Sequence, residues 1–425
     1  MSPSVSRLAA ACLLASGLAG LVPSSACAAA APASAPASMP ANAVRPAFGT
    51  PFNAAQTALK AGNAQEALAK LKEAEAVGSL TPYEAYVLGR LRGPALYSTG
   101  DYAGAQREME ASLSSPLLPA EDRLPITKVL ATAYYQDKKY DQASDLMQKY
   151  LAAGGDDAQI RDLLPNSLYL AKKFPEAAKA YVALIDAQVA AGTTPDQKTL
   201  RILASAQNEA EDEAGYEKTI ERLAVYYPSP EYWTQVLPTA KRADKFDDRL
   251  YVDYYRLRAA VLGQGADKDR LSYASQAARA GFPAEALGVL DVGMSRNAFT
   301  GADVAEAKKL HDTVARGAQT DRAQLAANET AARSAKDGEA LVNLGVALAV
   351  DGQAEKGLGL IQQGIAKGGL KRPEDAKLHL GYVQWRAGHS EDALKTFQSV
   401  GGANGTASLA HVWMLAVQSG VKPAT

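Results

Sequence analysis

Side chains suited to chemistry are few in this sequence of 425 residues, and they form no recognisable catalytic set. The four histidines lie far apart, and none pairs with a carboxylate at metal-binding spacing: His311, His379, His389 and His411. His379 and His389 stand ten residues apart across an expected turn and could face one another, but isolated surface histidines are the simpler interpretation. The sequence contains no phosphate-binding glycine loop, HExxH pair or GxSxG serine. It therefore predicts a protein that is not an enzyme and that carries no cofactor.

Charged residues give no sign of a metal site or a nucleic-acid site. The densest acidic run, residues 209–213, lacks the alternating oxygen ligands and the bidentate carboxylate of a calcium loop. We interpret this run as a solvated helix end. Lys and Arg together number 45 and Asp and Glu 46, for a formal net charge of -1, and no long basic block is present. Nothing in this balance supports nucleic-acid binding.

The elements that must position any binding residue are short pairs of amphipathic helices. In residues 376–400, apolar side chains recur at steps of three and four, and the pattern breaks at Gly388. Gly381 and Ala393 stand where two helix backbones approach, and a larger side chain there would push the helices apart. The same small second-helix residue recurs upstream at spacings of 38, 38 and 34 residues, in Ala67, Ala105, Ala143 and Ala177. This recurrence predicts a helical repeat array.

The order Leu-Gly, glycine turn, Ala and Phe in residues 380–397 resembles the tetratricopeptide repeat, or TPR. The resemblance implies an all-α fold, a right-handed superhelical TPR solenoid of about nine or ten helix pairs. Hydrophobic residues at 47% and charged residues at 21% agree with a globular chain. We expect an N-terminal and central TPR array in residues 49–300, a degenerate helical repeat in residues 301–337, and a C-terminal TPR pair with a capping helix in residues 338–425.

A ladder of aromatic residues runs in step with the repeats. Tyr97, Tyr135 and Tyr169 each lie four residues after the packing position of a first helix, at Gly93, Ala131 and Pro165. Trp385 holds the same place after Gly381 in the last strong repeat. In TPR proteins this line belongs to the concave groove, so the resemblance implies that the rings face a ligand. Polar residues in the same phase are the other groove candidates: Arg90, Lys128, Thr132, Gln136, Asp162 and Asn166. Such rings suit a peptide or a carbohydrate, and packing between adjacent repeats is the alternative that remains open.

Residues 1–28 have the features of a secretory signal peptide. A positive start precedes an apolar run of fifteen residues, 8–22, which is shorter than the about twenty that a membrane span needs. A small-x-small cleavage site ends at Ala28, so we expect export to the periplasm, cleavage near Ala28, and a mature chain without a transmembrane segment. A lipid on Cys27 is the alternative, but Ser24 stands where lipoprotein signals usually have Leu or a similar aliphatic residue.

The stretch after the signal peptide, residues 29–48, is rich in Ala, Pro and Ser and almost uncharged. Such a composition predicts a disordered tether. Both cysteines, Cys12 and Cys27, lie in the signal peptide. We therefore expect the mature chain to have no disulfide, no thiol nucleophile and no thiolate metal site.

A wider resemblance covers the whole chain. The signal peptide, the early repeats, the aromatic-proline segment from Tyr226 to Trp233 and the segment QAARAGFPAEAL at 276–287 resemble periplasmic TPR proteins found with TonB-type energy-transduction components in Gram-negative bacteria. This resemblance implies a non-catalytic scaffold or adaptor that binds protein partners in a cell-envelope complex linked to TonB-type transport. The alternative is a peptide- or polysaccharide-binding protein that acts in export. Neither segment carries a site that can be transferred residue by residue.

Overall fold

The computed structural model describes residues 42–243 and 245–423, and in those residues the protein is an all-α helical repeat with twenty α-helices and no β-strand. The chain divides into two compact units. Unit 1 holds the described residues up to Ala191 together with 209–211, and unit 2 holds 192–208 and the described residues from Asp212 onward. The predicted signal peptide and most of the tether fall in residues 1–41, outside the described residues.

Unit 1 consists of four helix pairs, in which each helix packs on the next one in sequence. The helices are α1 (Pro46–Lys60), α2 (Ala64–Glu75), α3 (Pro82–Thr99), α4 (Tyr102–Ser114), α5 (Ala120–Gln136), α6 (Tyr140–Ala152), α7 (Ala158–Leu170) and α8 (Phe174–Ala190). Short turns join the two helices of a pair, so the pairs are αα-hairpins. Residues that turn the chain have a left-handed backbone, which Gly100 adopts with φ 86° and Lys138 with φ 60°. An L-residue in this conformation costs roughly 1–2 kcal/mol, so packing of the two helices imposes the turn at Lys138.

The small residues predicted at the helix contacts are confirmed as packing residues. Each is fully buried in the described part of the chain: Ala67, Ala105, Ala143, Ala177 and Ala393. At the equivalent place on the first helix, a Cβ added to Gly381 would lie 2.7 Å from the ring of Phe397. Helix separation in the pairs is therefore set by residues without a bulky side chain.

Replacing Ala143 with leucine is expected to destabilise unit 1 by roughly 1–3 kcal/mol, because the added methylenes overpack a full contact. The matched control is Ala327→Leu, at an exposed position of a long helix, which should change the free energy of unfolding by less than about 0.5 kcal/mol. Urea unfolding of the two variants measures the difference. Equal destabilisation would contradict the helix register assigned here.

The end of the predicted tether, at residue 48, is wrong. Helix α1 begins at Pro46, and Phe48 is buried against unit 1. Just before the helix, the Arg45 guanidinium donates to both carboxylate oxygens of Glu84, with Nη2 to Oε2 at 2.7 Å. The hydrogen bond from Arg45 lowers the pKa of the buried Glu84 to about 2 despite the desolvation that opposes it. One buried phenylalanine and one partly buried ion pair thus order residues whose composition predicts disorder.

Unit 2 begins with α9 (Gln197–Glu209), whose last residue is grouped with unit 1. The following helices are α10 (Glu213–Tyr226), α11 (Pro230–Val236), α12 (Tyr251–Leu262), α13 (Arg270–Arg279), α14 (Pro283–Ser295), α15 (Ala302–Ser334), α16 (Glu339–Val350), α17 (Ala354–Lys367), α18 (Pro373–Arg386), α19 (Ser390–Gln398) and α20 (Thr406–Gln418). Short 3-10 segments flank α12 at 237–241, 248–250 and 263–269. The region predicted as a degenerate repeat is a single helix, α15, with 33 residues.

The end of unit 2 packs back on its beginning. Helix α20 contacts α18 and α19, as a capping helix would, and it also contacts α10, α12 and the 3-10 segment at 237–241. The Ser408 hydroxyl donates to the carbonyl of Arg242 at 2.9 Å, and His411 Nε2 lies 3.0 Å from Glu221 Oε1. Unit 2 is therefore a repeat array that returns on itself, whereas the sequence predicts that the last helix covers only the final pair.

Candidate binding surfaces

The three tyrosines of the aromatic ladder each pack on the aromatic residue that begins the next helix. The ring pairs are Tyr97–Tyr102, Tyr135–Tyr140 and Tyr169–Phe174, with ring centroids 5.6, 5.6 and 5.7 Å apart. All three ladder rings are partly exposed, and burial raises the pKa of Tyr97. The tyrosines thus combine packing within a helix pair with a surface that remains accessible. We call the face of α3, α5 and α7 that carries them the first-helix wall.

Several polar residues of the first-helix wall bond to the following first helix. Arg90 pairs with Asp122 at 2.8 Å, and Lys128 pairs with Asp157, the residue that caps α7. These contacts link α3 to α5 and α5 to α7, so the polar residues fix the spacing of the repeats.

A further polar contact reaches a ladder tyrosine. The Asn166 amide donates to the hydroxyl of Tyr135 at 2.6 Å, and the buried Tyr181 hydroxyl lies 3.5 Å from the Asn166 Oδ1. Two predicted groove residues, Gln136 and Asp162, are instead exposed. Exposed polar side chains and partly exposed rings therefore occur together on the helices of the wall.

Two predicted groove residues do not face solvent. Trp385 is 4% exposed, its Nε1 donates to the carbonyl of Val421 at 2.9 Å, and its ring centroid lies 5.2 Å from that of Trp413. The sequence places Trp385 in the groove because it holds the same repeat position as the ladder tyrosines. In the structure, α20 and the residues after it cover that side of the last helix pair. Thr132 is also buried, and its hydroxyl donates to the carbonyl of Val129 at 2.8 Å.

Unit 2 contains a buried ionic cluster that the sequence analysis did not predict. The Arg256 guanidinium donates to both carboxylate oxygens of Glu285, at 2.8 and 2.6 Å, and to Asp253 at 2.6 Å. Its Cζ lies 4.8 Å from the ring centroid of Phe282 and 5.2 Å from that of Tyr382. These contacts join α12, α14 and α18 around one cation. The side chain of Arg256 is 1% exposed.

Two further side chains complete the ionic cluster. The Tyr273 hydroxyl donates to Glu285 at 2.8 Å, and His379 Nε2 lies 3.2 Å from Asp253 Oδ2. Burial opposes ionisation of Asp253, but the charges of His379 and Arg256 and their hydrogen bonds lower its pKa to about 2. Burial and the Glu285 carboxylate raise the pKa of Tyr273. Every charged group of the cluster is thus compensated by a partner of opposite charge or by a hydroxyl.

Two more contacts hold the ends of unit 2 together. Arg249 donates to both oxygens of Asp375, at 2.5 and 3.0 Å, although the two residues lie 126 positions apart. The hydrogen bond with Glu221 raises the pKa of His411. A raised histidine pKa contributes stability that is complete below the ordinary value of 6.5 and is lost as the pH rises through the raised value. The contact between α20 and α10 is therefore strongest under mildly acidic conditions.

Arg249 departs from the repeat pattern. It falls at the place of the small second-helix residue, but it lies in a 3-10 segment, and α12 begins only at Tyr251. A sequence signal was present in α12, where Asp253 and Arg256 share a helix face with apolar residues at a spacing of three. Residues of opposite charge that stand together on the apolar face of a helix indicate a buried ion pair.

Two adjacent cavities open in unit 2. The first, which we call the charged cavity, has a volume of about 580 Å³ and lies among the start of α12, the end of α13, α16 and α18. The second, the apolar cleft, has a volume of about 500 Å³ and lies among the α13–α14 turn, α15 and α16. Ala280, Phe282 and Asn343 line both, so the two cavities meet there.

The residues that sequence analysis considered for chemistry have structural partners. His379 and His389 do not pair with each other, since His379 contacts Asp253 and His389 Nε2 lies 2.8 Å from Glu355. In the acidic run, Asp212 accepts a hydrogen bond from the Gly215 N–H at 2.9 Å and caps α10. Across residues 42–243 and 245–423, no group of three or more His, Cys, Asp or Glu side chains is placed to hold a metal ion. Within the same ranges no helix has the length and apolar character to cross a membrane.

Comparison with known proteins yields weak similarities to helical solenoid structures. No family model matches the sequence, and no curated protein matches it. A chain in the structure of Naa15/Naa10 bound to HypK-THB is 13% identical over 83% of this chain and 58% of that one, with a TM-score of 0.26. This chain thus spans less than two thirds of that protein.

Two further solved structures show similarity of the same kind. Yeast Tom70 is 14% identical over 87% of this chain and 95% of its own, with a TM-score of 0.23. The P58(IPK) TPR domain is 12% identical over 87% and 88%, with a TM-score of 0.20. At these TM-scores the superpositions are poor, and the all-α helical repeat fold rests on the helices of the chain itself.

Proposed function

We propose that the protein is a non-catalytic scaffold that binds a protein partner along the first-helix wall of unit 1. The observation that carries this proposal is the repetition of one aromatic pair in three consecutive helix pairs, each with a partly exposed tyrosine. A surface that repeats with the helices offers an extended partner one aromatic contact for each repeat. Tyrosine provides such contacts with a large ring and few rotatable bonds, so little entropy is lost on binding.

The proposed place of action is the periplasm. The signal-peptide features of residues 1–28 support export. The resemblance of the whole chain to periplasmic TPR proteins found with TonB-type components supports a partner in a cell-envelope complex. The partner is then a protein of the envelope, and the scaffold positions it without changing it chemically.

Photo-crosslinking in intact cells tests the proposal. A photoreactive amino acid at Gln136 or at Asp162, both exposed on the first helices that carry the ladder tyrosines, is expected to capture the same protein. The matched controls are Gln148 and Lys179, which are exposed on second helices, and they should capture that protein weakly or not at all. The captured complex should be recovered from the periplasmic fraction, with a scaffold chain that starts at Ala29 by intact mass. Equal capture from wall and control positions would rule out the wall as the binding surface.

A further inference from the structure

The loop between α19 and α20 contains the sequence Gly-Gly-Ala-Asn-Gly at residues 401–405. Three glycines in five residues give this backbone a wide choice of φ and ψ angles. Gly402 and Gly405 use that freedom, with left-handed φ values of 103° and 98°. Asn404 is the only asparagine of the chain that a glycine follows. Because glycine has no Cβ, nothing on Gly405 shields its backbone nitrogen from the Asn404 side chain.

The two groups that could react with each other are free in the structure. Among the described residues, the exposed side-chain amide of Asn404 forms no hydrogen bond, and neither does the backbone N–H of Gly405. The Asn404 carbonyl is engaged, since it accepts from the backbone N–H of Asp247 at 3.2 Å. The Gly405 nitrogen can therefore approach the Asn404 Cγ without first breaking a hydrogen bond of either group.

Comparable residue pairs elsewhere in the chain are held by hydrogen bonds. In the pair Asp337-Gly338, the glycine N–H donates to the carbonyl of Gly368 at 2.9 Å. Asn166, which precedes Ser167, lies inside α7, and its side-chain amide donates to a tyrosine hydroxyl at 2.6 Å. Hydrogen bonds thus restrain both of these pairs, whereas the reacting groups of the Asn-Gly pair in the loop have none.

We propose that Asn404 is a site of spontaneous deamidation through the backbone nitrogen of Gly405, and that the product loosens the closure of unit 2. The deprotonated Gly405 nitrogen attacks the Asn404 Cγ and forms a five-membered succinimide ring. The Cγ–Nδ2 bond breaks, and Nδ2 leaves as ammonia with the proton that the backbone amide released. Water then adds to either carbonyl of the ring and opens it to aspartate or isoaspartate. The reaction consumes only water.

Both products change the place where the end of unit 2 meets its beginning. Each adds a carboxylate to a residue that is bonded to the acidic Asp247, and like charges repel. Isoaspartate also lengthens the main chain by one methylene between Asn404 and Gly405. There is little room for this shift, since a Cβ on Gly405 would lie 2.5 Å from the ring of Phe246. Deamidation therefore weakens the contact of the α20 end with residues 246–250, and it does so independently of the first-helix wall.

Storage of the purified full chain in mildly alkaline buffer, followed by peptide mass spectrometry, tests the site. Asn404 should gain the mass of an NH2-to-OH exchange before any other asparagine does, and an isoaspartyl methyltransferase should label the product. The matched control Asn404→Gln keeps the amide but would have to close a six-membered ring, so position 404 should stay unconverted over the same period. Conversion of another asparagine first, or an Asn404 that stays intact, would overturn the proposal.

Hydrogen exchange of the stored protein tests the effect on unit 2. The backbone amides of residues 247–250 and 406–410 should exchange at least about threefold faster after deamidation, because the contact that protects them opens more often. The amides of α16 and α17 are the internal control and should be unchanged. Stored Asn404→Gln should exchange like fresh wild-type protein. Unchanged exchange in fully deamidated protein would show that the loop does not hold the closure, and would overturn that part of the proposal.

Discussion

Replacing Arg256 with alanine is expected to destabilise unit 2 by about 3–5 kcal/mol, because two carboxylates would remain buried without their cation. The Arg256 guanidinium bonds to Glu285 and Asp253 and lies against the rings of Phe282 and Tyr382. Loss of the side chain therefore removes packing as well as charge. Urea unfolding, followed by the fluorescence of Trp233 and Trp413, both buried in unit 2, measures the effect.

The matched control is Arg322→Ala, which removes a cation that is 62% exposed and paired with Asp351. This change should cost less than about 1 kcal/mol, since solvent screens the pair. A variant that neutralises the whole cluster, Arg256→Met with Asp253→Asn and Glu285→Gln, should recover much of the lost stability, because it leaves no buried charge. If Arg256→Ala and Arg322→Ala gave the same loss, the buried cluster would not stabilise unit 2.

Replacing Tyr97, Tyr135 and Tyr169 together with leucine is expected to abolish most binding of the partner captured at the first-helix wall. Aromatic residues in contact centres are often worth about 2 kcal/mol or more each, so three of them dominate the affinity. Leucine retains part of the apolar contact with Tyr102, Tyr140 and Phe174, and because the rings are partly exposed each change should cost less folding stability than the roughly 3–5 kcal/mol of truncating a fully buried ring. Titration of the purified partner, together with urea unfolding, measures both quantities.

The corresponding alanine variant separates binding from packing. Truncating a fully buried ring costs roughly 3–5 kcal/mol, and partly exposed rings should lose less. Stability should therefore fall further with alanine than with leucine, while both variants bind poorly. A leucine variant that is stable and binds with normal affinity would show that the ladder only packs the helix pairs, and that the partner contacts another surface.

Features set by neighbouring residues were predictable from the sequence. The buried alanines Ala105, Ala143 and Ala177 were predictable because each one packs within its own helix pair, and the helical period of the apolar residues marks its position. The alignment of Tyr97, Tyr135 and Tyr169 was found for the same reason. Their partial exposure was not, because it depends on how closely each ring packs on the residue five positions later.

Features set by residues far apart in sequence were not predictable. Trp385 has the phase of the ladder, but α20 and Val421 bury it. Arg249 stands where the repeats have a small residue, and its partner Asp375 lies 126 positions later. The charged cavity of unit 2 depends on the same return of the chain, since α12 and α18 form two of its walls. No local pattern in α12 specifies which later helix will contact it.

The return of α18 and α20 to the start of unit 2 has a consequence for how the chain folds. Each helix pair of unit 1 packs on its neighbours in sequence, so the pairs can form one after another from the N-terminus. Unit 2 cannot complete its fold until residues such as Asp375 and His411 exist, because their partners precede them by 126 and 190 positions. Closing loops of that length costs entropy and slows folding. The first helices of unit 2 therefore keep hydrophobic surface uncovered until the last helix packs on them, and this interval is when the chain is most exposed to aggregation.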